Sequence, residues 1–300
     1  MVNQGCGRSY RPVFLHSVGI TILGALLFLV PLVLMIVMSV RRQELATIDK
    51  SIASKMTERA TMSLVEQHLP YDVGYLNGLN ESMYAFVVYP IGLGALLLGL
   101  YFVATRSRCY WVYIYYIVAL ATYILLANGV CLLLKELLKR PRPRQTIEFH
   151  TAASPVSHPV PFQPIFTPYT GPNPDGLQLY STPSGHTLFT STCLLPMSII
   201  SAFLGQDLAG QLKGKELLLW KTCFYCFSAL SIILSLLFIP SMAIARLAAN
   251  AHFLSDTVLG ALLSLMFLTI IIFTVPEPLT TNGMLDLNEY KPQDGNHLNI

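Results

Sequence analysis

Six apolar runs without a single Asp, Glu, Lys or Arg occupy residues 12–40, 82–105, 109–134, 187–206, 222–245 and 257–275. A bilayer core ~30 Å thick is crossed by about 20 apolar residues in a helix. In lipid the backbone polar groups must bond within their own segment, so such runs are helices rather than isolated strands. The expected fold is therefore all-α: a polytopic membrane protein, six transmembrane helices in a bundle, forming a single domain over residues 1–300 with a polar tail at 276–300. Charged residues make up only 12% of the chain, about half the share of a soluble globular domain (~25%). That excludes a soluble enzyme. A net charge of +3 is too small for a phosphate-backbone partner, so no nucleic-acid binding is expected. Arg41 and Arg42 follow the first run without a small-residue cleavage pattern, which predicts a retained helix rather than a removed signal peptide.

Between the runs, residues 41–81 are polar with charges of both signs, and part of this stretch is expected to lie on the membrane as a surface helix. Tyr110, Trp111, Tyr113, Tyr115 and Tyr116 crowd the start of the third run, as an interfacial aromatic belt does. Residues 135–186 form a long loop that opens basic and turns proline-rich. Lys and Arg are spread over the loops of both sides, so charge counting does not set the orientation. Cys223 and Cys226 sit inside an apolar run with no second pair, and neither a zinc nor a redox site is expected there.

Ionisable residues at the ends of apolar helices are costly and often functional. Three groups occur. Lys135 and Arg142 lie in a basic stretch leaving the third run; Thr182-Pro183-Ser184-Gly185-His186 enters the fourth; Arg246, His252 and Asp256 lie between the fifth and sixth. With alternating crossings, all three fall on one side of the membrane. Lys135 and Arg142 supply fixed positive charge, and a guanidinium fork matches the oxygen pairs of a phosphate. The second group reads as a helix start, Thr182 as cap and Pro183 at the first helical position. The free N–H groups of such a start, with Gly185 permitting close approach, make an anion site. His186 at its edge can give or take a proton. Asp256 follows His252 by four residues, one helical turn, so its carboxylate is expected to hold one imidazole nitrogen and leave the other as a nucleophile. No His/Asp/Glu set stands at metal-ligand spacing, and neither metal nor cofactor is expected.

Lys135-x6-Arg142-Pro143, Pro183-Ser184-Gly185-His186 and Arg246-x5-His252-x3-Asp256, in this order over residues 135–256, resemble the three-part signature of the type 2 phosphatidic acid phosphatase (PAP2) superfamily. One departure is Ala245, where the family usually carries Ser. The resemblance implies a metal-independent hydrolase of a lipid phosphomonoester or pyrophosphate. His252 would attack phosphorus and carry a phosphohistidine, Asp256 would orient it, and His186 would protonate the leaving oxygen. Lys135, Arg142, Ser184, Gly185 and Arg246 would hold the phosphate. It also implies a multi-pass cell (inner) membrane location with the site on the periplasmic, extracytosolic face, and a lipid phosphate as partner. Residues 142–149 and 251–256 look most like bacterial lipid phosphatases, including the lipid A phosphatase branch. Phosphatidylglycerol phosphate, undecaprenyl pyrophosphate and phosphatidic acid stay open as substrates, and the sequence does not set the oligomeric state. Vanadate-dependent haloperoxidases use the same signature but are soluble. A transporter or lipid-binding relative without catalysis is the non-enzyme alternative, against which stands the presence of every charged and imidazole residue of the signature.

Overall fold

A computed structural model describes residues 18–66, 110–150, 156–173, 175–209 and 214–274. It contains six α-helices and no strand among these residues: α1 (Val18–Val40), α2 (Arg42–Glu66), α3 (Tyr110–Leu138), α4 (Gly185–Ala209), α5 (Gly214–Ala248) and α6 (Leu254–Thr274). α1, α3, α5 and α6 are each long and apolar enough to cross a membrane. Five of the six expected spans are helices; the run at 82–105 lies outside the described residues. α4 is helical as expected but is not among the four most apolar helices, since it carries Thr187, Thr190, Ser191 and Thr192 on buried positions. The described residues thus support four candidate spans.

α6 is the axis of the bundle. Of its spanning stretch 61% is buried, against 17% for α1 and 22% for α3 and α5. α1, α3 and α4 pack directly on it, and α4 pairs with α5. Leu259, Leu262 and Leu263 of α6 meet Met38 of α1, Ala127 and Cys131 of α3, and Leu188 of α4. The outer faces of α1, α3 and α5 expose Leu26, Val33, Leu125, Leu132 and Leu236, a pattern that water would not tolerate at this scale and that lipid does. Pro31, Pro196 and Pro240 stand inside helices, which membrane helices tolerate.

α2 is not a free surface helix. It follows α1 almost directly and packs on α5 and α6, burying Ala46 and Ala53 against Phe149, Phe162 and Phe253. The long loop is also folded. Two short 3-10 turns, Pro143–Gln145 and Ile147–Phe149, are tied to Val160 through Ile147 N–H to the Val160 carbonyl (3.0 Å) and Val160 N–H to the Gln145 carbonyl (2.9 Å). Tyr169 N–H donates to the Leu138 carbonyl (2.9 Å) and Ser181 N–H to the Arg140 carbonyl (3.0 Å). Ile165, Val160 and Leu179 are buried beneath the loop. These bonds hold the described part of the loop against the end of α3.

Candidate active site

α4 begins at Gly185, not at Pro183. Thr182 is therefore not the cap: its hydroxyl donates to Asp256 Oδ1 instead. Ser184 takes the capping position, its Oγ accepting from Thr187 Oγ1 (3.1 Å) and at 3.5 Å from Thr187 N–H, and serine is among the best residues there. Ser184 N–H in turn donates to the Asp256 backbone carbonyl (2.9 Å). The start of α4 is thereby bolted to the start of α6. Gly260 makes this possible: a Cβ there would stand 2.7 Å from the Ser184 carbonyl oxygen.

Around this start the expected phosphate ligands converge. A Cβ on Gly185 would stand 3.1 Å from Lys135 Nζ, so the amine lies beside the first residue of α4. Arg246, in the last turn of α5, donates through Nη1 to His186 Nε2 at 3.4 Å. The Arg142 backbone N–H is held by Gln145 Oε1 (2.9 Å). The Arg142 Nε is buried and has no partner among the described residues, a donor waiting for an acceptor. Ala245, where the family's serine would stand, is buried in α5 and offers no hydroxyl.

The imidazoles are both held neutral. The His186 ring edge reaches solvent, yet desolvation and then the charges of Arg246, Lys135 and Arg142 lower its pKa to about 4. An arginine N–H can only donate, so His186 Nε2 is an unprotonated acceptor. His252 is buried, and that burial brings its pKa down to about 3; Asp256 opposes the shift, while Arg142 and Lys135 add to it. The same two cations thus act on both rings.

His252 does not stand on a helix. α5 ends at Ala248 and α6 starts at Leu254, so His252 occupies the turn between them and the one-turn helical relation to Asp256 does not exist. The turn folds back on Arg246, whose carbonyl accepts from Ala251 N–H (3.1 Å) and His252 N–H (3.3 Å). The expected Asp256 contact to the ring is replaced by the backbone carbonyl of Ser181, 2.7 Å from Nδ1. A carbonyl can only accept, so Nδ1 carries the proton and Nε2 keeps its lone pair. Asp256 acts one link away: Oδ2 accepts from Ser181 Oγ (2.5 Å) and from Phe253 N–H (2.9 Å), flanking His252 on both sides.

Sequence reasoning missed the group that holds Asp256. Arg140, 1% exposed, donates through Nη1 to Asp256 Oδ1 (2.6 Å) and Ser255 Oγ (2.9 Å), through Nη2 to Asp49 Oδ2 (2.9 Å) and through Nε to the Gln163 carbonyl (2.8 Å). Its guanidinium stacks over Phe253, 4.4 Å from the ring centroid. Asp49, on α2, is equally buried and also accepts from Ser255 N–H (3.0 Å) and Ser255 Oγ (2.5 Å). Burial pushes the Asp49 carboxyl above its ordinary range; Arg140 pulls it down and Asp256 pushes it up. No three His, Cys, Asp or Glu side chains come together as a metal-ligand set among the described residues.

No curated protein and no solved structure matches the chain. The family model of the PAP2 superfamily matches residues 116–278, which takes in all three groups of converging residues and more than half of the sequence. The chain belongs to the PAP2 superfamily, whose members are phosphatases.

Proposed function

We propose that this protein is an integral-membrane lipid phosphatase that hydrolyses a phosphomonoester or pyrophosphate of a membrane lipid through a phosphohistidine on His252. One observation carries the reading: His252 is held as the neutral Nδ1–H tautomer by the Ser181 carbonyl, which leaves Nε2 nucleophilic. Lys135, Arg142, Arg246, the Ser184 hydroxyl and the Gly185 N–H cradle the phosphoryl oxygens and stabilise the charge that redistributes at phosphorus. In the first step His252 Nε2 bonds to phosphorus while the phosphorus–oxygen bond to the lipid breaks. The departing oxygen takes a proton from His186. In the second, water attacks the phosphohistidine, His186 accepts its proton, and inorganic phosphate leaves.

Before substrate binds His186 is neutral, with its pKa near 4. Desolvation is the larger cause of that lowering. A phosphate dianion among Lys135, Arg142 and Arg246 offsets the remainder, which comes from their charges, and adds a negative charge beside the ring, so the substrate itself favours the charged acid. Long apolar helices with a site at their ends suit a headgroup phosphate at the membrane edge, and we place the site on the extracytosolic face of the cell membrane. The test is phosphate release by the purified protein in detergent with EDTA present. The panel is phosphatidic acid, phosphatidylglycerol phosphate, undecaprenyl pyrophosphate and lipid A, coupled to acid-free trapping of phosphoprotein. Turnover with a phosphoprotein that is lost in His252→Ala is expected. Turnover without any histidine-bound phosphate, or activity abolished by EDTA and restored by magnesium, overturns the mechanism.

A further inference from the structure

Asp49 lies outside the segment that matches the family, on a helix that the sequence reads as polar surface, yet it is buried beside the catalytic turn. Every group that contacts its carboxylate is a donor: Arg140 Nη2, Ser255 N–H and Ser255 Oγ. Three donors and no competing acceptor favour the anion, against the burial that pushes the carboxyl up. A single guanidinium therefore stands between two carboxylates, Asp49 on one side and Asp256 on the other.

That arrangement has an electrostatic and a mechanical consequence. Arg140 alone would neutralise Asp256 and leave His252 facing only Arg142 and Lys135, the two cations that already disfavour its charged form. Asp49 occupies half of the guanidinium, so the Arg140–Asp256 pair retains negative charge toward the imidazole. Mechanically, Asp49 accepts the Ser255 N–H in the first turn of α6, which is the turn that carries Asp256. It thus fixes both ends of the Asp256 carboxylate's support.

We propose that Asp49 is a positioning residue for the reaction: by countering Arg140 and anchoring Ser255 from α2, it keeps Asp256 charged toward His252 and holds the His252 turn in place. The inference rests on the phosphohistidine reading above. Asp49 touches none of Lys135, Arg142, Arg246, Ser184 or Gly185, so its effect falls on the nucleophile and not on substrate capture. It also falls on formation of the cationic phosphohistidine, whichever group departs.

The test uses the full chain in detergent, with kcat referred to the fraction of protein that binds orthovanadate, so that loss of folded protein does not enter. Asp49→Asn should lower this kcat about 10- to 100-fold, the range seen when an outer partner of a catalytic group is removed, with KM changed less than about threefold. The loss should be equal on a lipid phosphate and on p-nitrophenyl phosphate. Asp49→Glu, which keeps the charge, should recover most of it. In an Asp256→Asn background Asp49→Asn should cost little further, because residues acting through one group are not additive. Additive losses, an effect confined to KM, or a Glu variant as impaired as the Asn variant would each overturn the proposal. If Asn fails to bind vanadate at all, the Glu variant decides alone. Wild-type protein that turns over no lipid phosphate would instead remove the reading on which the inference stands, and wild-type activity in Asp49→Asn would remove the inference only.

Discussion

Substituting Gly260 with alanine adds one methyl group where α6 touches the start of α4. Its Cβ would stand 2.7 Å from the Ser184 carbonyl oxygen and 3.3 Å from Leu188 N, both backbone atoms. Ordinary contact begins near 3.4 Å, so the start of α4 must retreat by about 0.7 Å to accommodate a methyl at van der Waals distance. The Ser184 N–H bond to the Asp256 carbonyl, now 2.9 Å, stretches with it. The Gly185 N–H and Ser184 Oγ move away from Lys135 and Arg246 by a similar distance. A misplacement of about 1 Å costs ~10²-fold in well-aligned sites, so kcat/KM should fall roughly 10-fold or more. Stability has two opposing terms. Alanine gains about 0.5–1 kcal/mol over glycine inside a helix, and overpacking against backbone costs about 1–3 kcal/mol, so a net loss of about 1 kcal/mol is expected. Gly129→Ala is the control, because a Cβ there meets nothing within 4 Å and should leave activity unchanged while gaining a fraction of a kcal/mol. The assay is kcat/KM on a lipid phosphate with thermal melting of the same samples. Wild-type kcat/KM in Gly260→Ala would show that the α4–α6 contact does not set the cradle.

Four further outcomes are expected. His186→Ala should lose ~10²–10⁴-fold on a lipid phosphate and much less on p-nitrophenyl phosphate, whose phenolate departs without a proton; equal loss on both would remove His186 from the acid role. Binding of sulfate, which does not titrate between pH 4.5 and 6.5, should make the protein take up as much as one proton in that range, because the anion raises the His186 pKa from about 4; calorimetry in buffers of different ionisation heat reads this, and an uptake unchanged in His186→Ala would refute it. Folded-state pKa values below the ordinary 6.5 for both His186 and His252 mean that the unfolded chain binds more protons in this window. Their contribution to stability is therefore full above about pH 6.5 and is lost as the pH falls towards 4 and 3; a melting temperature in detergent that does not fall from pH 7 to pH 5, in wild type relative to His186→Ala, would contradict it. Arg140→Ala leaves two buried carboxylates with no cation between them and should destabilise by about 3–5 kcal/mol, read as loss of monodisperse protein in detergent, whereas an unchanged yield and melt would mean that the network carries little energy.

The apolar runs made most helices legible because a span without charge has few other solutions in a membrane. The bounds shifted where chemistry intervened. α3 continues through Lys135 to Leu138, since a lysine at a helix C-terminus favours the dipole rather than ending the helix. The signature residues converge as their order suggested, but two local inferences failed for one reason. Proximity along the chain points Thr182 to the cap of α4 and Asp256 to the His252 ring. In the folded protein they bond to each other, and a backbone carbonyl, which has no sequence signature, took the imidazole. Asp49 was illegible because an acid in a helix with charges of both signs carries no local mark of burial; its partners, Arg140 and Ser255, stand 91 and 206 residues away.

The Asp49–Arg140–Ser255–Asp256 cluster also orders the biogenesis of the protein. Asp49 and Ser255 are 206 residues apart, so a chain emerging from the ribosome delivers the first carboxylate early and the second only with its last described helix. Contacts this distant close late and slowly. Until α6 is in the bilayer, Arg140 has one counter-charge instead of two, and Ser184 lacks the Asp256 carbonyl to which it is tied. A chain stalled before residue 254 therefore presents a buried pair, Arg140 and Asp49, that lacks its second carboxylate, and a loose α4 start at the membrane surface. Insertion of α6 is the event that removes both, and a nascent protein that has completed it differs from one that has not in charge as well as in shape.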